Sequence, residues 1–565
     1  MNYLNLTIEN KEIKVKKGTT FKDVIKEYAI DDLVVLCELN GDYYELAMEI
    51  PANGDIKLID ANSEIGWKIY SRTLQYIFIK ATLDIFKDVI IKIEHSISKG
   101  TFGEIYKSQP LNKEDINKIK KHMEDLIKRD IPINKIQVSK EEAIKIFEDY
   151  GMMDKVKLLK QVDLKTVKLY ELDGRYDYFY GQMAYSTGII KAFDLIPYAH
   201  GFVLRNPTEE DVTVLPEFKE QKSLANIFYE TERWLDILGV GEVGSLNEKI
   251  INKGLTNLTL VSEALHEKKI AYLADSISTK KNVKVVLIAG PSSSGKTTFA
   301  NRLGIQLRVN GLNPIPISLD DYFVDRVHTP RDENGEYDFE SIEAIDLKLF
   351  NENLKYLLEG KEVEIPSYNF KTGNREWIGH KLKLPGNGVI IVEGIHGLNP
   401  SLTDAIEDDK KYKIYISALT QLNLDNHNRI ATTDVRKVRR IVRDYLSRGY
   451  GAEETLMMWP SIKRGERKNI FVYQEEADAM FNSTLVYELC VLKPYAIKEL
   501  EKIKPGSPVY NEAVRLKTFL NFFKEIEFSD VPENSILREF IGGSCFYKYW
   551  REVAKQLLLF IVSYK

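Results

Sequence analysis

Apolar and polar positions alternate with a period of two through the opening MNYLNLTIENKEIKVKKG, which predicts strands at Tyr3 to Ile8 and Glu12 to Val15. A short helical pattern follows at Phe21 to Tyr28, then strand-like stretches at Leu33 to Leu39 and Asp55 to Leu58. From Gly66 the pattern becomes helical, predicting helices over Tyr70 to Phe86 and over the charged segment Glu114 to Arg129. Residues 221 to 281 read as helical and polar, ending in Lys280 and Lys281. Beyond them four apolar runs, VKVVLIAG, NPIPISLD, GVIIVEG and YKIYIS, alternate with helical patterns, the signature of a parallel sheet flanked by helices. The tail is mostly helical, with breaks at Gly506 and at Gly542 and Gly543. The expected fold class is therefore multidomain α/β and α+β. Five parts are expected: an α+β module over 1–62, a second α+β domain over 63–220, a helical connector over 221–281, a parallel-sheet domain over 282–485 and a helical extension over 486–565.

Composition narrows the functional classes. The chain has 565 residues, 44% of them hydrophobic and 29% charged, enough apolar material to exclude wholesale disorder. Lys+Arg 79 against Asp+Glu 84 gives a net charge of −5, so no global positive field draws the chain to nucleic acid or anionic lipid. Cys37, Cys490 and Cys545 are too few and too scattered for a disulfide framework or a thiolate zinc site, and a reducing, cytoplasmic location is expected. The apolar stretches fall short of the roughly 20 residues of a spanning helix, so no membrane partner is expected. The run Leu557 to Val562 is read as a buried helix or strand end.

The chemistry lies in the parallel-sheet part. The first strand ends in Gly290-Pro291-Ser292-Ser293-Ser294-Gly295-Lys296-Thr297-Thr298, a GxxxxGK[ST] run followed by a helical pattern. Such a phosphate loop (P-loop) turns backbone N–H groups onto phosphates, Lys296 neutralises their oxygens, and Thr297 can ligate Mg²⁺. The strand Gly388 to Val392 ends in Glu393, placed to hold the metal or its water. The strand Pro316 to Leu319 ends in Asp320-Asp321-Tyr322, where either aspartate could take a proton from an attacking hydroxyl. In Asp434 to Arg448, Arg436, Arg440 and Arg443 fall at spacings of four and three, a row of guanidinium groups suited to a transferring phosphoryl group.

Together these motifs resemble the phosphoribulokinase/uridine kinase family over residues 283 to about 485. The resemblance puts the catalytic aspartate of ISLDDYF on Asp320 and the ribose-binding aspartate of EYDFESIEAIDL on Asp338. It puts Tyr368 and Arg375 of IPSYNFKTGNR beside the substrate, and makes DVRKVRRIVRDYLSRG a lid with Arg436 and Arg448 toward substrate and Arg440 and Arg443 among the catalytic groups. Two departures stand out: Gly373 replaces the histidine that helps uridine kinases read the pyrimidine, and Tyr450 replaces an arginine after Arg448-Gly449. The resemblance implies ATP, Mg²⁺ and a small-molecule acceptor with a nucleoside-like hydroxyl. A sugar or sugar phosphate is the alternative acceptor.

Residues 1 to about 62 resemble the TGS module, and 66 to about 215 the second additional, editing domain of threonyl-tRNA synthetases, through YSRTLQYIFIKA and YFYGQMAYSTGIIKAFDL. Where those enzymes carry HxxxH and a Cys-Arg-Gly-Pro-His run, this chain has Arg72 and Tyr76, then Phe179, Tyr180, Gly181, Gln182 and Met183. Without a nucleophile, base or metal ligand of that kind, no deacylase activity is expected. The resemblance leaves tRNA or other RNA as an alternative partner, with the phosphate loop then acting as a nucleotide-dependent switch.

Overall fold

The structure, a computed structural model, describes residues 3–28, 33–333 and 335–546. The apolar run at Leu557 to Val562 lies outside the described residues. Among those residues, no helix is long and apolar enough to cross a membrane.

Five parallel strands form the sheet of the C-terminal part, in the spatial order Asn313–Ser318, Gly388–Glu393, Val285–Ala289, Lys411–Ser417 and Ala479–Asn482. The central strands are apolar at consecutive positions because both faces are covered. Val286 and Ile288 join one core with Val389, Ile391, Ile414 and Ile416, while Val285, Leu287, Ile390 and Val392 join the opposite one. Alternate side chains of one strand thus fill different cores. The helix Leu347–Leu358 covers the second face. On the first face packs the helix after the loop, Lys296–Val309, and the core there extends through the connector helix Leu255–Thr279, which lies on the loop helix, to the extension helices Glu488–Leu500 and Tyr510–Leu520. The edge strand Ala479–Asn482 has only four residues, too short for a periodicity to reveal.

At the N-terminus a five-stranded sheet runs Lys11–Lys16, Tyr3–Ile8, Gly54–Asp60, Val34–Leu39, Asp42–Glu45. The following helix begins at Glu64, earlier than its apolar repeat, because Ser63 caps it by accepting from the N–H of Gly66 at 3.1 Å. This helix, Glu64–Ile85, is buried over most of its faces from Tyr70 to Thr82, polar Thr73, Lys80 and Thr82 included, and its apolar residues join the core of the second domain. A three-stranded sheet (Ile133–Ser139, Thr166–Leu172, Arg175–Asp177) and a four-stranded sheet (Ile90–Ile97, Gly100–Tyr106, Asp194–Tyr198, Gly201–Arg205) complete that domain.

A hairpin of the C-terminal part, Asn423–Asp425 with Asn428–Arg429, enters the second domain. Lys155 Nζ lies 2.8 Å from Asp425 and 3.1 Å from Asp177, and His427 Nδ1 is 2.7 Å from Asp177. Asp425 also accepts from the backbone N–H groups of His427 (2.9 Å) and Asn428 (3.0 Å). Gln75 donates to the carbonyl of His427 at 2.6 Å, and the N–H of Ile93 to that of Asn426 at 2.8 Å. Burial alone would raise the Asp177 carboxyl; Lys155 and His427 more than offset it and hold it well below the usual carboxylate range.

Removing Lys155 should leave two buried carboxylates without the cation they share. Lys155→Met is expected to cost about 3–5 kcal/mol in urea unfolding. Because the Asp177 pKa is depressed, its contribution is complete above the unfolded value near pH 4 and is lost as pH falls through the folded value. Asp177→Asn should therefore flatten the acid limb of the stability profile measured by circular dichroism.

Candidate active site

The central strand of the C-terminal sheet, Val285–Ala289, runs into Gly290, and the chain then turns sharply into the helix Lys296–Val309. Ser293 (φ +61°) and Gly295 (φ +85°) occupy the left-handed region, so successive N–H groups of the loop converge on one side. Gly290 is required for a different reason: a Cβ there would sit 1.9 Å from the carbonyl oxygen of Ile416 on the neighbouring strand. Lys296 Nζ folds over the loop and donates to the carbonyls of Gly290 (3.0 Å) and Pro291 (3.2 Å). Burial lowers its pKa, against the attraction of Glu393 and Asp320. The hydroxyls of Ser293 and Ser294 are buried and have no hydrogen-bond partner in the protein, as befits a cradle built for oxygen ligands.

Carboxylates stand opposite the lysine. Glu393, at the end of its strand, accepts from Thr297 Oγ1 at 3.3 Å and from Ser318 Oγ at 2.9 Å. Burial, reinforced by Asp320, pushes the Glu393 carboxyl up to about 7. The turn Leu319–Tyr322 separates the two aspartates that the sequence leaves equivalent. Asp321 points away and accepts from the N–H of Tyr368 at 3.4 Å, its carboxyl pushed up to about 6 by burial. The charge of Asp320 acts on Lys296, Glu393 and Arg448. A hydroxyl and a carboxylate this close are hard oxygen donors, a set that fits Mg²⁺.

The arginine segment is helical over Thr432–Arg443, but it is not a solvent-facing row. Arg436, expected at the substrate, is 2% exposed and lies beneath the loop, with its Nε donating to the carbonyl of Ser292 at 2.9 Å. Its guanidinium pairs with Glu466, which itself accepts from the N–H of Ser292 at 2.9 Å. Arg440 Nη1 donates to Ser292 Oγ at 2.6 Å. Arg439, absent from the predicted row, donates to the carbonyl of Ser293 at 3.3 Å and pairs with Glu488 at 2.6 Å. Periodicity missed it because the helix is buried on several faces, so residues off the predicted stripe also meet partners. Arg443 and Arg440 flank Asp444 at 2.8 and 3.1 Å, and the Arg448 guanidinium lies 4.8 Å from the Phe370 ring centre.

Of the substrate residues, Asp338 turns back on its own chain, accepting from the N–H of Glu340 at 3.1 Å. Glu340 instead joins the cluster of Glu466, Arg440, Lys296 and Arg436, its carboxyl raised to about 7 by burial and by Glu466. It is the functional candidate that sequence reasoning missed, and the signal was an acid two residues further along the same motif. Gly465 makes room for it: a Cβ there would lie 2.2 Å from that of Glu340. Tyr368 and Arg375 sit on a small hairpin, Ser367–Asn369 with Asn374–Glu376. The Tyr368 ring packs on Phe323 and Phe370, and Arg375 pairs with Asp346 at 2.8 Å. Gly373 turns this hairpin at φ +74°, and a Cβ there would approach Arg326 Nε to 2.7 Å. The departure from histidine at this position is therefore built into the backbone.

Strand, phosphate loop, helix and facing acids define a P-loop fold with a parallel sheet. A model of the phosphoribulokinase/uridine kinase family matches residues 285–488, and this C-terminal region is a domain of that family. A solved structure from Bacillus stearothermophilus, described as a possible uridine kinase, is 20% identical; the match covers 38% of this chain and 98% of that one, with a TM-score of 0.26. The N-terminal region matches threonine–tRNA ligases. That of Syntrophotalea carbinolica is 29% identical over 206 residues, 35% of this chain and 32% of the relative. Threonine–tRNA ligase 1 of Bacillus subtilis is 29% identical over 189 residues, 33% of this chain and 29% of the relative. The match thus spans about a third of the length of these curated relatives.

The positions that replace the synthetase histidines and cysteine form a packed interior. Arg72 donates to the carbonyl of Gln182 at 2.5 Å, and its guanidinium occupies the space a Cβ of Gly181 would take. Tyr76 donates to the carbonyls of Tyr170 and Arg175 at 2.9 and 2.7 Å and stacks obliquely on Phe179. Glu45 of the first domain accepts from the N–H of Met183 at 3.1 Å and from Tyr170 Oη at 2.5 Å. Tyr180 donates to the carbonyl of Arg515 in the extension.

Arg439→Met should leave Glu488 as an unpaired buried anion and release the loop carbonyl. A loss of about 3–5 kcal/mol is expected in chemical unfolding, with weaker nucleotide binding by calorimetry.

Proposed function

We propose that the chain is an ATP- and Mg²⁺-dependent kinase that phosphorylates a hydroxyl of a nucleoside or a similar polyol. The observation that carries this reading is the convergence of Lys296, the Thr297–Glu393 pair and Asp320 at the mouth of one phosphate loop. In this reading the loop from Gly290 to Thr298 holds the triphosphate through its N–H groups and Lys296. Thr297 and Glu393 hold Mg²⁺, which when bound neutralises phosphate charge. Asp320 orients the acceptor hydroxyl and takes its proton as the oxygen bonds to the terminal phosphorus and the bond to the ADP oxygen breaks. Arg448 and Arg440 supply positive charge for the transferring group, and Glu340, facing Lys296, is the candidate for holding acceptor hydroxyls. The hairpin bearing Tyr368 and Arg375 lines the acceptor side. With Gly373 and Tyr450 in place of a histidine and an arginine, base reading weakens, so the polyol is the part of the acceptor recognised.

The test is phosphate transfer from labelled ATP to a panel of nucleosides, free sugars and sugar phosphates. Asp320→Asn should lower turnover by about 10²–10⁴ while ATP affinity stays within about threefold. Lys296→Ala should lose nucleotide binding. Transfer that survives Asp320→Asn would remove the aspartate from its role, and no labelled acceptor in a broad panel would overturn the kinase reading.

A further inference from the structure

The phosphate loop is covered by the chain's own C-terminal extension. Glu539, in the short turn of helix Arg538–Ile541, accepts from the backbone N–H of Thr298 at 2.9 Å. That amide belongs to the first turn of the loop helix, where the free N–H groups and the helix dipole attract phosphate oxygens. A carboxylate placed there satisfies the same donor that a phosphate would. The neighbouring Ile536 is fully buried and lies so near Gly295 that a Cβ on the glycine would approach its Cγ2 to 2.7 Å. Phe540 receives the Arg439 guanidinium at 5.0 Å from its ring centre. Arg538 ties the segment to itself through the carbonyls of Phe528 (3.2 Å), Pro532 (3.3 Å) and Val531. Val531, Ile536, Leu537, Phe540 and Ile541 are buried in the main core, so the segment is a folded cap with a carboxylate at its tip.

We propose that residues 531–541 are an autoinhibitory plug: the Glu539 carboxylate stands where a nucleotide phosphate binds, and ATP must displace it. The proposal rests on the nucleotide-binding reading of the loop and not on the identity of the acceptor. One carboxylate carries a single negative charge, whereas a triphosphate brings several and more oxygens, so the plug is a competitor that nucleotide can overcome. Its strength comes from being attached, since a tethered ligand acts at a high effective concentration. While the plug is seated the loop is not competent, and the apparent affinity for nucleotide falls by the unplugged fraction.

The experiment uses the full chain and a non-hydrolysable ATP analogue with Mg²⁺, titrated by calorimetry into the natural protein, Glu539→Ala and Lys296→Ala. Glu539→Ala should bind about tenfold tighter than the natural chain, and Lys296→Ala should lose the signal, locating it at the loop. Unchanged or weaker binding by Glu539→Ala overturns the plug. A second measurement needs no variant: hydrogen exchange of residues 531–541 should accelerate when the analogue binds, and unchanged or slower exchange overturns the proposal. The two readings fail separately. Tighter binding by Glu539→Ala with no acceptor labelled keeps the plug and removes the kinase, whereas labelled acceptor without tighter binding does the reverse.

Discussion

A loop that turns its N–H groups inward to receive phosphate must turn carbonyls outward, and a buried carbonyl without a partner costs about as much as a lost hydrogen bond. In this chain cations meet that need. Arg436 takes the carbonyl of Ser292, Arg439 that of Ser293, and Lys296 those of Gly290 and Pro291. Each buried guanidinium then needs an anion, which Glu466 and Glu488 provide from two further segments. The arginine helix, the helix Ala452–Asn469 and the first extension helix are all positioned by this one requirement.

The same reasoning links the site to the N-terminal domains. The hairpin that precedes the arginine helix is held by Lys155, Asp177 and Gln75, and Asp434 at the start of that helix is paired with Arg515 of the extension at 2.6 Å. Arg515 in turn offers its carbonyl to Tyr180. The synthetase-like domain, with Arg72, Tyr76 and Glu45 packed into its interior, braces the segment that supports the phosphate loop.

What was legible in the sequence depended on periodicity and contiguity. Each of the four longer strands of the parallel sheet, like the phosphate loop, is one contiguous run of sequence, so pattern alone reaches them even though their spatial order differs from their order in the chain. Resemblance placed the catalytic carboxylate on Asp320, and the structure turns Asp321 the other way, toward the Tyr368 backbone. Contacts that bring distant segments together escape such reading. Nothing in the isolated segment marks Arg439 as a loop support, because its partners lie 44 to 146 residues away in the chain. Asp338 and Glu340 differ by two positions, and only the turn that caps Asp338 against the Glu340 N–H decides which reaches Lys296. Glu539 was invisible for the same reason: its partner Thr298 is 241 residues distant.

The hairpin Asn423–Asp425/Asn428–Arg429 bears on the ancestry of the molecule. Its buried aspartate and amide groups are satisfied by the synthetase-like domain, and one continuous core runs from Ala143 to Ile541 across the junction. Two modules with relatives in different enzymes share one core. Recombination that swapped either half for a free-standing homologue would take away the partners that Lys155, Asp425 and Asn428 now find across the seam, so the fusion, once made, is costly to undo.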